Sequence, residues 1–126
     1  MIKYTVHVHT NGTKEWYLNG ELHREDGPAI EYANGGKSWF LNDNLHREDG
    51  PAIEYTNGAK EWYLNGKRHR EDGPAIEYAD GGKSWYLNGK ELTEKDHKTR
   101  TSPKAIELTV LEIEKILGHP VKIVKG

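Results

Sequence analysis

The sequence predicts a mainly β protein: a single-layer antiparallel β-hairpin solenoid with a small C-terminal α/β cap. Three observations predict it. The first is a 23-residue repeat. Residues 11–33 read NGTKEWYLNGELHREDGPAIEYA and residues 57–79 read NGAKEWYLNGKRHREDGPAIEYA, identical at 20 of 23 positions. Between them, residues 34–56 read NGGKSWFLNDNLHREDGPAIEYT, and a fourth copy opens as DGGKSWYLNGK at Asp80 and departs from the pattern at Glu91. A period of this length marks stacked supersecondary units. The second observation is an Asn-Gly or Asp-Gly pair between short apolar runs, a hairpin signal. The third is composition: 14 Gly, with 4 Trp, 7 Tyr and 1 Phe, but a hydrophobic share of only 34%. That favours a thin, turn-rich sheet over a thick core.

In chain order, Tyr4–His9 stands where GPAIEY falls in later units and reads as a degenerate half-unit. Each full unit then offers two strand-like runs, Ala29–Ala33 and Ser38–Leu41 and their copies, separated by Asn34-Gly35, Asn57-Gly58 or Asp80-Gly81. Both residues of such a turn tolerate positive φ. The second run ends at Asn19-Gly20, Asn65-Gly66 or Asn88-Gly89, with Asn42-Asp43 in unit two. A His-Arg-Glu-Asp-Gly-Pro loop follows, starting at His23, His46 and His69. There Asp is expected to cap a turn, Gly to take a left-handed conformation, and Pro to open the next strand. One hairpin cannot bury its own apolar face, so units must stack. Two strands per unit give a rise of roughly 9–10 Å, and four units an elongated sheet of roughly 40 Å. Units one and three carry Lys-Glu-Trp (Lys14, Lys60) and units two and four Gly-Lys-Ser-Trp (Gly36, Gly82), which suggests duplication of a 46-residue pair. The organisation expected is residues 1–90 as hairpin repeats (11–33, 34–56, 57–79, 80–90) and 91–126 as the cap.

In the tail, Thr93-Glu94-Lys95-Asp96 predicts a short helix to about Thr99, broken at Ser102-Pro103. Residues 105–108 read as strand. Thr109-Val110-Leu111-Glu112 is a capping box opening a helix with Val110, Ile113, Ile116 and Leu117 on one side and Gly118 at its end. Residues 120–124 read as a final strand. This tail either seals the last hairpin or makes a homodimer or partner contact through Val110, Ile113, Leu117, Val121 and Ile123, an exposed final edge being able to pair with another chain.

No run approaches the roughly 18 apolar residues that span a bilayer, and Met1-Ile2-Lys3-Tyr4 does not read as a signal peptide. Without cysteine there is no disulfide, thiolate zinc site or cysteine nucleophile, so a cytoplasmic location is the default. The net charge is −2: residues 1–89 hold ten Lys/Arg against fourteen Asp/Glu, and residues 90–126 eight against six. Nothing there advertises nucleic acid.

The 23-residue period, Asn65-Gly66-Lys67-Arg68-His69 and Tyr78-Ala79-Asp80-Gly81 resemble MORN repeats. The Trp-Tyr before Asn-Gly and the Gly-Pro before the next strand are closer to the variant form. The recurring HREDGPAIEY followed by a helical tail resembles proteins of tailed phages and large DNA viruses. The resemblance covers residues 4–89. It implies a protein-binding scaffold rather than an enzyme, and for a phage product an inhibitor that occludes a host defence or regulatory protein in the host cytoplasm. A typical MORN unit has His-Gly where this chain has His-Arg-Glu-Asp-Gly. That difference argues against lipid binding and makes the loop row the distinctive surface.

The loop row is therefore one candidate partner-binding set: His23, Arg24, Glu25; His46, Arg47, Glu48; His69, Arg70, Glu71. Arg can grip carboxylates in bidentate fashion, and a regular row would read an extended surface. The competing reading is a structural ladder in which Arg pairs with a neighbouring carboxylate. A metal set of His23, Glu25 and Asp26 is disfavoured, because equivalents in adjacent units lie roughly 9–10 Å apart; no metal and no cofactor is expected. Catalytic residues are not expected either. The carboxylate pairs recur three times, Ser38 and Ser84 sit in strands beside Trp39 and Trp85, and Asn34-Gly35-Gly36-Lys37 is a hairpin turn rather than a phosphate loop. Trp16, Trp39, Trp62 and Trp85, with the leucines and with Ile30, Ile53 and Ile76, are the expected core. Tyr17, Phe40, Tyr63 and Tyr86 then line an opposite, open face. That aromatic row is the alternative site, for a small ligand or carbohydrate; the acidic balance disfavours single-stranded nucleic acid. A third alternative is a self-assembling scaffold joined through the tail.

Overall fold

The structure, a computed structural model, describes residues 3–102 and 108–120. Those residues are mainly β, with antiparallel hairpins joined into a sheet and two short helices at the C-terminal end. The half-unit supplies β1 (Tyr4–Val8), and unit one supplies β2 (Lys14–Leu18), β3 (Glu21–Leu22) and β4 (Ile30–Glu31). Next come β5 (Lys37–Ser38), β6 (Phe40–Leu41), β7 (Asn44–Leu45), β8 (Ile53–Glu54), β9 (Lys60–Glu61), β10 (Tyr63–Leu64), β11 (Lys67–Arg68) and β12 (Ile76–Glu77). The last hairpin is β13 (Lys83–Leu87) with β14 (Lys90–Leu92), so pairing crosses residues 90 and 91. Among the described residues ten strands form one sheet, in which β1-β2-β4-β5-β8-β9-β12-β13-β14 are successive neighbours and β3 joins β2. The hairpins β6–β7 and β10–β11 stand apart from it.

Each unit therefore makes two hairpins where the sequence suggests one. The Trp is the pivot: Trp39 N–H donates to the Ala52 carbonyl (2.7 Å), and its own carbonyl accepts from His46 N–H (3.0 Å). The chain pairs with the next unit before Trp39 and with its own return strand after it. The two turns differ. At Asn19-Gly20 both residues have positive φ (50° and 85°), and Asn42-Asp43 do the same without glycine (49° and 65°). At Asn34-Gly35 only Gly35 is left-handed (96°); the Asn34 Oδ1 instead accepts from Gly36 N–H at 2.9 Å. This is the type I turn with a glycine bulge rather than the two-residue turn.

The register separates two rows. Glu15, Ile30, Ser38, Ile53, Glu61, Ile76 and Ser84 stand successively opposite one another, and directly opposed residues share a face. Lys14, Glu31, Lys37, Glu54, Lys60, Glu77 and Lys83 make the adjacent row, with opposite charges at every step. Trp39 directly follows Ser38, so the isoleucines lie on the side away from the tryptophans. The expected shared Trp/Ile core is not formed. Among the described residues the buried apolar side chains are Ala29, Ala52 and Ala75, fully covered, and Ile76; the four tryptophans, Ile30 and Ile53 are half-buried.

Helix α1 (Glu94–Thr101) starts at Thr93, whose hydroxyl accepts from Asp96 N–H, and packs on β13 and β14. It runs two residues past the expected end. Helix α2 (Val110–Leu117) has the expected capping box between Thr109 and Glu112 and a left-handed Gly118. The strands expected at 105–108 and 120–124 fall largely outside the described residues. No helix among the described residues is long and apolar enough to cross a membrane.

Candidate functional site

The three His-Arg-Glu-Asp-Gly-Pro loops form a row whose backbone is fixed between units. Arg24, Arg47 and Arg70 N–H groups donate to the carbonyls of Phe40, Tyr63 and Tyr86 in the following unit (3.1–3.2 Å). The histidines reinforce the same junction. His23, His46 and His69 accept at Nδ1 from the N–H groups of Asn42, Asn65 and Asn88 (2.9–3.0 Å). A ring nitrogen that accepts carries no proton, so this network assigns the proton to Nε2. Those Nε2 atoms face Glu25, Glu48 and Glu71 at 3.5, 3.6 and 3.8 Å.

Each arginine is turned inward. Arg47 lies over Trp39, its guanidinium carbon 3.8 Å from the ring centroid. Its Nε donates to Asp49 (3.1 Å), and its Nη1 donates to the Pro51 carbonyl (3.0 Å) and to Glu54 (3.1 Å). Arg24 over Trp16 and Arg70 over Trp62 repeat the set. Their side chains are only 21–23% exposed. This is the ladder arrangement, and two loop expectations change with it. Asp26, Asp49 and Asp72 hold the guanidinium instead of capping a turn. Gly27, Gly50 and Gly73 are not left-handed; they leave space, since a Cβ at Gly50 would stand 3.0 Å from the Arg47 guanidinium carbon.

What the row presents outward is acidic. Glu25, Asp26, Glu48, Asp49, Glu71 and Asp72 have side chains between 75% and 88% exposed. They rim three successive clefts of about 510, 730 and 530 Å³. The middle cleft is floored by Pro28, Trp39 and Leu41. No group of three His, Asp or Glu side chains converges as metal ligands among the described residues.

The aromatic row expected to be open is half-buried and tied down. Tyr17 donates to Glu15 (2.6 Å), Tyr63 to Glu61 (3.1 Å) and Tyr86 to Glu91 (3.0 Å), while Phe40 has no hydroxyl to give. The Tyr17 hydrogen bond, then the one from His9, holds the Glu15 carboxyl below the usual range, and Glu15 in turn pushes the Tyr17 phenol up. Burial first, then Glu61, raises Tyr63. The exposed aromatic row is a different one: Tyr32, Tyr55 and Tyr78, 42–47% exposed. Sequence reasoning passed over it because these tyrosines close the strand run; their position two residues after each isoleucine was the available signal. Between Tyr55 and Tyr78 the buried Glu61 accepts from the Tyr55 and Tyr63 hydroxyls and from Arg68 Nε. Units one and two have Leu22 and Leu45 at the position of Arg68.

In the tail, Ile113 is half-buried, and Val110, Leu111, Ile116 and Leu117 are exposed, Leu111 at 76%. Val121 and Ile123 lie outside the described residues. The seal on the last hairpin comes from α1: His97, 2% exposed, bonds the Arg70 carbonyl through Nε2 (2.6 Å). No protein-family model, curated protein or solved structure matches this chain.

Proposed function

We propose that the protein is a non-enzymatic protein-binding module, a MORN-like β-hairpin solenoid whose loop row is the contact surface. One observation carries the reading: two clefts of repeated construction, with a third beside them at the N-terminal end, share an exposed acidic rim on a backbone locked by inter-unit bonds. Such a surface is prepaid in conformational terms, since little has to order on binding. The arginines act as its foundation and the carboxylates as its contacts, a division of labour within the row first read as a single set. The resemblance to repeat proteins of phages and large DNA viruses points to a host protein as the occupant, held by occlusion.

The test is affinity capture from host lysate on the immobilised protein, in parallel with E25Q/E48Q/E71Q and with Y32A/Y55A/Y78A. A stoichiometric partner retained by the tyrosine variant and lost by the glutamine variant supports the loop row. Loss only with the tyrosine variant moves the contact to the opposite side of the sheet. A bare bait in all three overturns the binding reading.

A further inference from the structure

We infer that the loop row takes an extended cationic segment in the polyproline II conformation, with Lys or Arg at every third position. This rests on the loop-row reading above and concerns only the occupant's chemistry.

The charge argument comes first. Arg24, Arg47 and Arg70 each already face two carboxylates, one from their own loop and one of Glu31, Glu54 and Glu77. The row offers an incoming group no free guanidinium. Glu25, Glu48 and Glu71 are matched only by a histidine Nε2–H beyond 3.4 Å, and His23, 5% exposed, has an Nε2 with no hydrogen-bond partner among the described residues. An acidic or neutral segment gains nothing from that rim; a cation does.

The shape argument is independent. In the middle cleft Glu25 and Asp26 stand on one side, Glu48 and Asp49 on the other, above a floor of Trp39 and Leu41. The next cleft repeats this one unit on, with Trp62 and Leu64 below. Arg24, His46 and Arg47 also line the middle cleft, but each guanidinium is already matched by two carboxylates. The four rim carboxylates above the apolar floor therefore suit a side chain with an aliphatic stem and a charged tip, the form Lys and Arg share.

The spacing sets the conformation. Two strands per unit put the clefts roughly 9–10 Å apart. A polyproline II chain rises about 3.1 Å per residue with three residues per turn, so positions i, i+3 and i+6 share one side about 9.3 Å apart. A β-strand presents one side every second residue, about 6.6–6.8 Å, and falls out of step by the second cleft. The polyproline conformation also loses little entropy on docking.

Three synthetic peptides of equal composition test this on the full chain, with Lys at every third position, at every second, or clustered, in a Pro/Gln background. Titration calorimetry and tryptophan emission report binding. The every-third peptide is expected to bind at least roughly tenfold more tightly than the others, to weaken with added salt, and to lose roughly tenfold or more against E25Q/E48Q/E71Q. Equal affinity for all three spacings overturns the polyproline register. Failure of every cationic peptide, or preference for a Glu-bearing counterpart, overturns the cationic occupant. If those failures occur while lysate capture still depends on Glu25, Glu48 and Glu71, the loop-row reading stands and this inference alone falls.

Discussion

At the scale of single residues, the arginine in each loop is the most connected side chain. Arg47 combines a cation–π stack on Trp39, two carboxylates and a backbone carbonyl in a mostly covered position. Removing it leaves the Pro51 carbonyl and Glu54 without their donor. R47A is expected to lower stability by about 1–3 kcal/mol, measured by urea unfolding. R47K should recover little, because an ammonium cannot stack flat and bridge three acceptors at once. G50A tests the same position from below, since its Cβ would displace the guanidinium; a loss of about 1 kcal/mol is expected, on the scale of a single displaced contact. Unchanged stability in both would remove the ladder as a source of stability. Tyr55 makes a separate case. Its hydrogen bond to Glu61, then its burial, push the phenol up to about 12. A group raised in the folded state contributes stability that is whole below its ordinary value near 10 and is lost as pH rises through about 12. Tyr17, Tyr63 and Tyr86 are raised as well, so a phenolate absorbance titration should show several late-ionising tyrosines, and Y55F should remove the amplitude of one of them near pH 12.

At the scale of elements, α1 is the piece that ties the tail to the sheet, and His97 is its anchor. H97A removes a buried ring and leaves the Arg70 carbonyl unpaired. Amides of residues 95–101 should then exchange faster by one to two orders of magnitude, corresponding to about 1–3 kcal/mol, with those of β4, β5 and β8 unaffected. Uniform acceleration across the chain would mean the helix supports the whole sheet. The period, the positions of the turns and both helix starts were legible in the sequence because Asn-Gly, Thr-x-x-Asp or Thr-x-x-Glu and a 23-residue identity are local signals; the type of the Asn34-Gly35 turn was not. The return strands β3, β7 and β11 were not, since two residues carry no alternation. The pairing of each arginine with a neighbouring carboxylate was legible as the ladder reading, but its place over a tryptophan was not, since that depends on a Trp eight residues earlier and a Glu seven residues later meeting at one guanidinium. The side of the sheet that the isoleucines take was not legible either, because the loop between them and the tryptophans hides which side each run presents. The hydrogen-bonded register, with Ile30 opposite Ser38, decides it.

At the scale of the whole molecule, the register gives a physical reason for the 46-residue pair. Along the row Glu15–Ile30–Ser38–Ile53–Glu61, the two carboxylates are four strands apart, roughly 19 Å, which exceeds the Debye length of about 8–10 Å. A 23-residue period with Glu in every unit would halve that distance. Ser38 keeps the spacing, and its surroundings have changed with it. Glu61 has Tyr63 and Arg68 as donors, whereas Ser38, 3% exposed, has Phe40 and Leu45 at the matching positions. The hydroxyl and the guanidinium are both present in unit three, where a carboxylate accepts them, and both absent in unit two; unit one keeps the hydroxyl alone, Tyr17 on Glu15, with Leu22 in place of the guanidinium. S38E therefore buries a charge without counterparts of Tyr63 and Arg68, roughly 9–10 Å from two others, and is expected to lower stability by about 2–4 kcal/mol. S38E/F40Y/L45R supplies both missing donors and should recover most of that loss in the same unfolding measurement. F40Y/L45R alone adds a hydroxyl and a cation with no acceptor and should fall below the wild type. If S38E is neutral, or if the triple variant is no better than S38E, spacing and donor matching do not explain why units two and three differ.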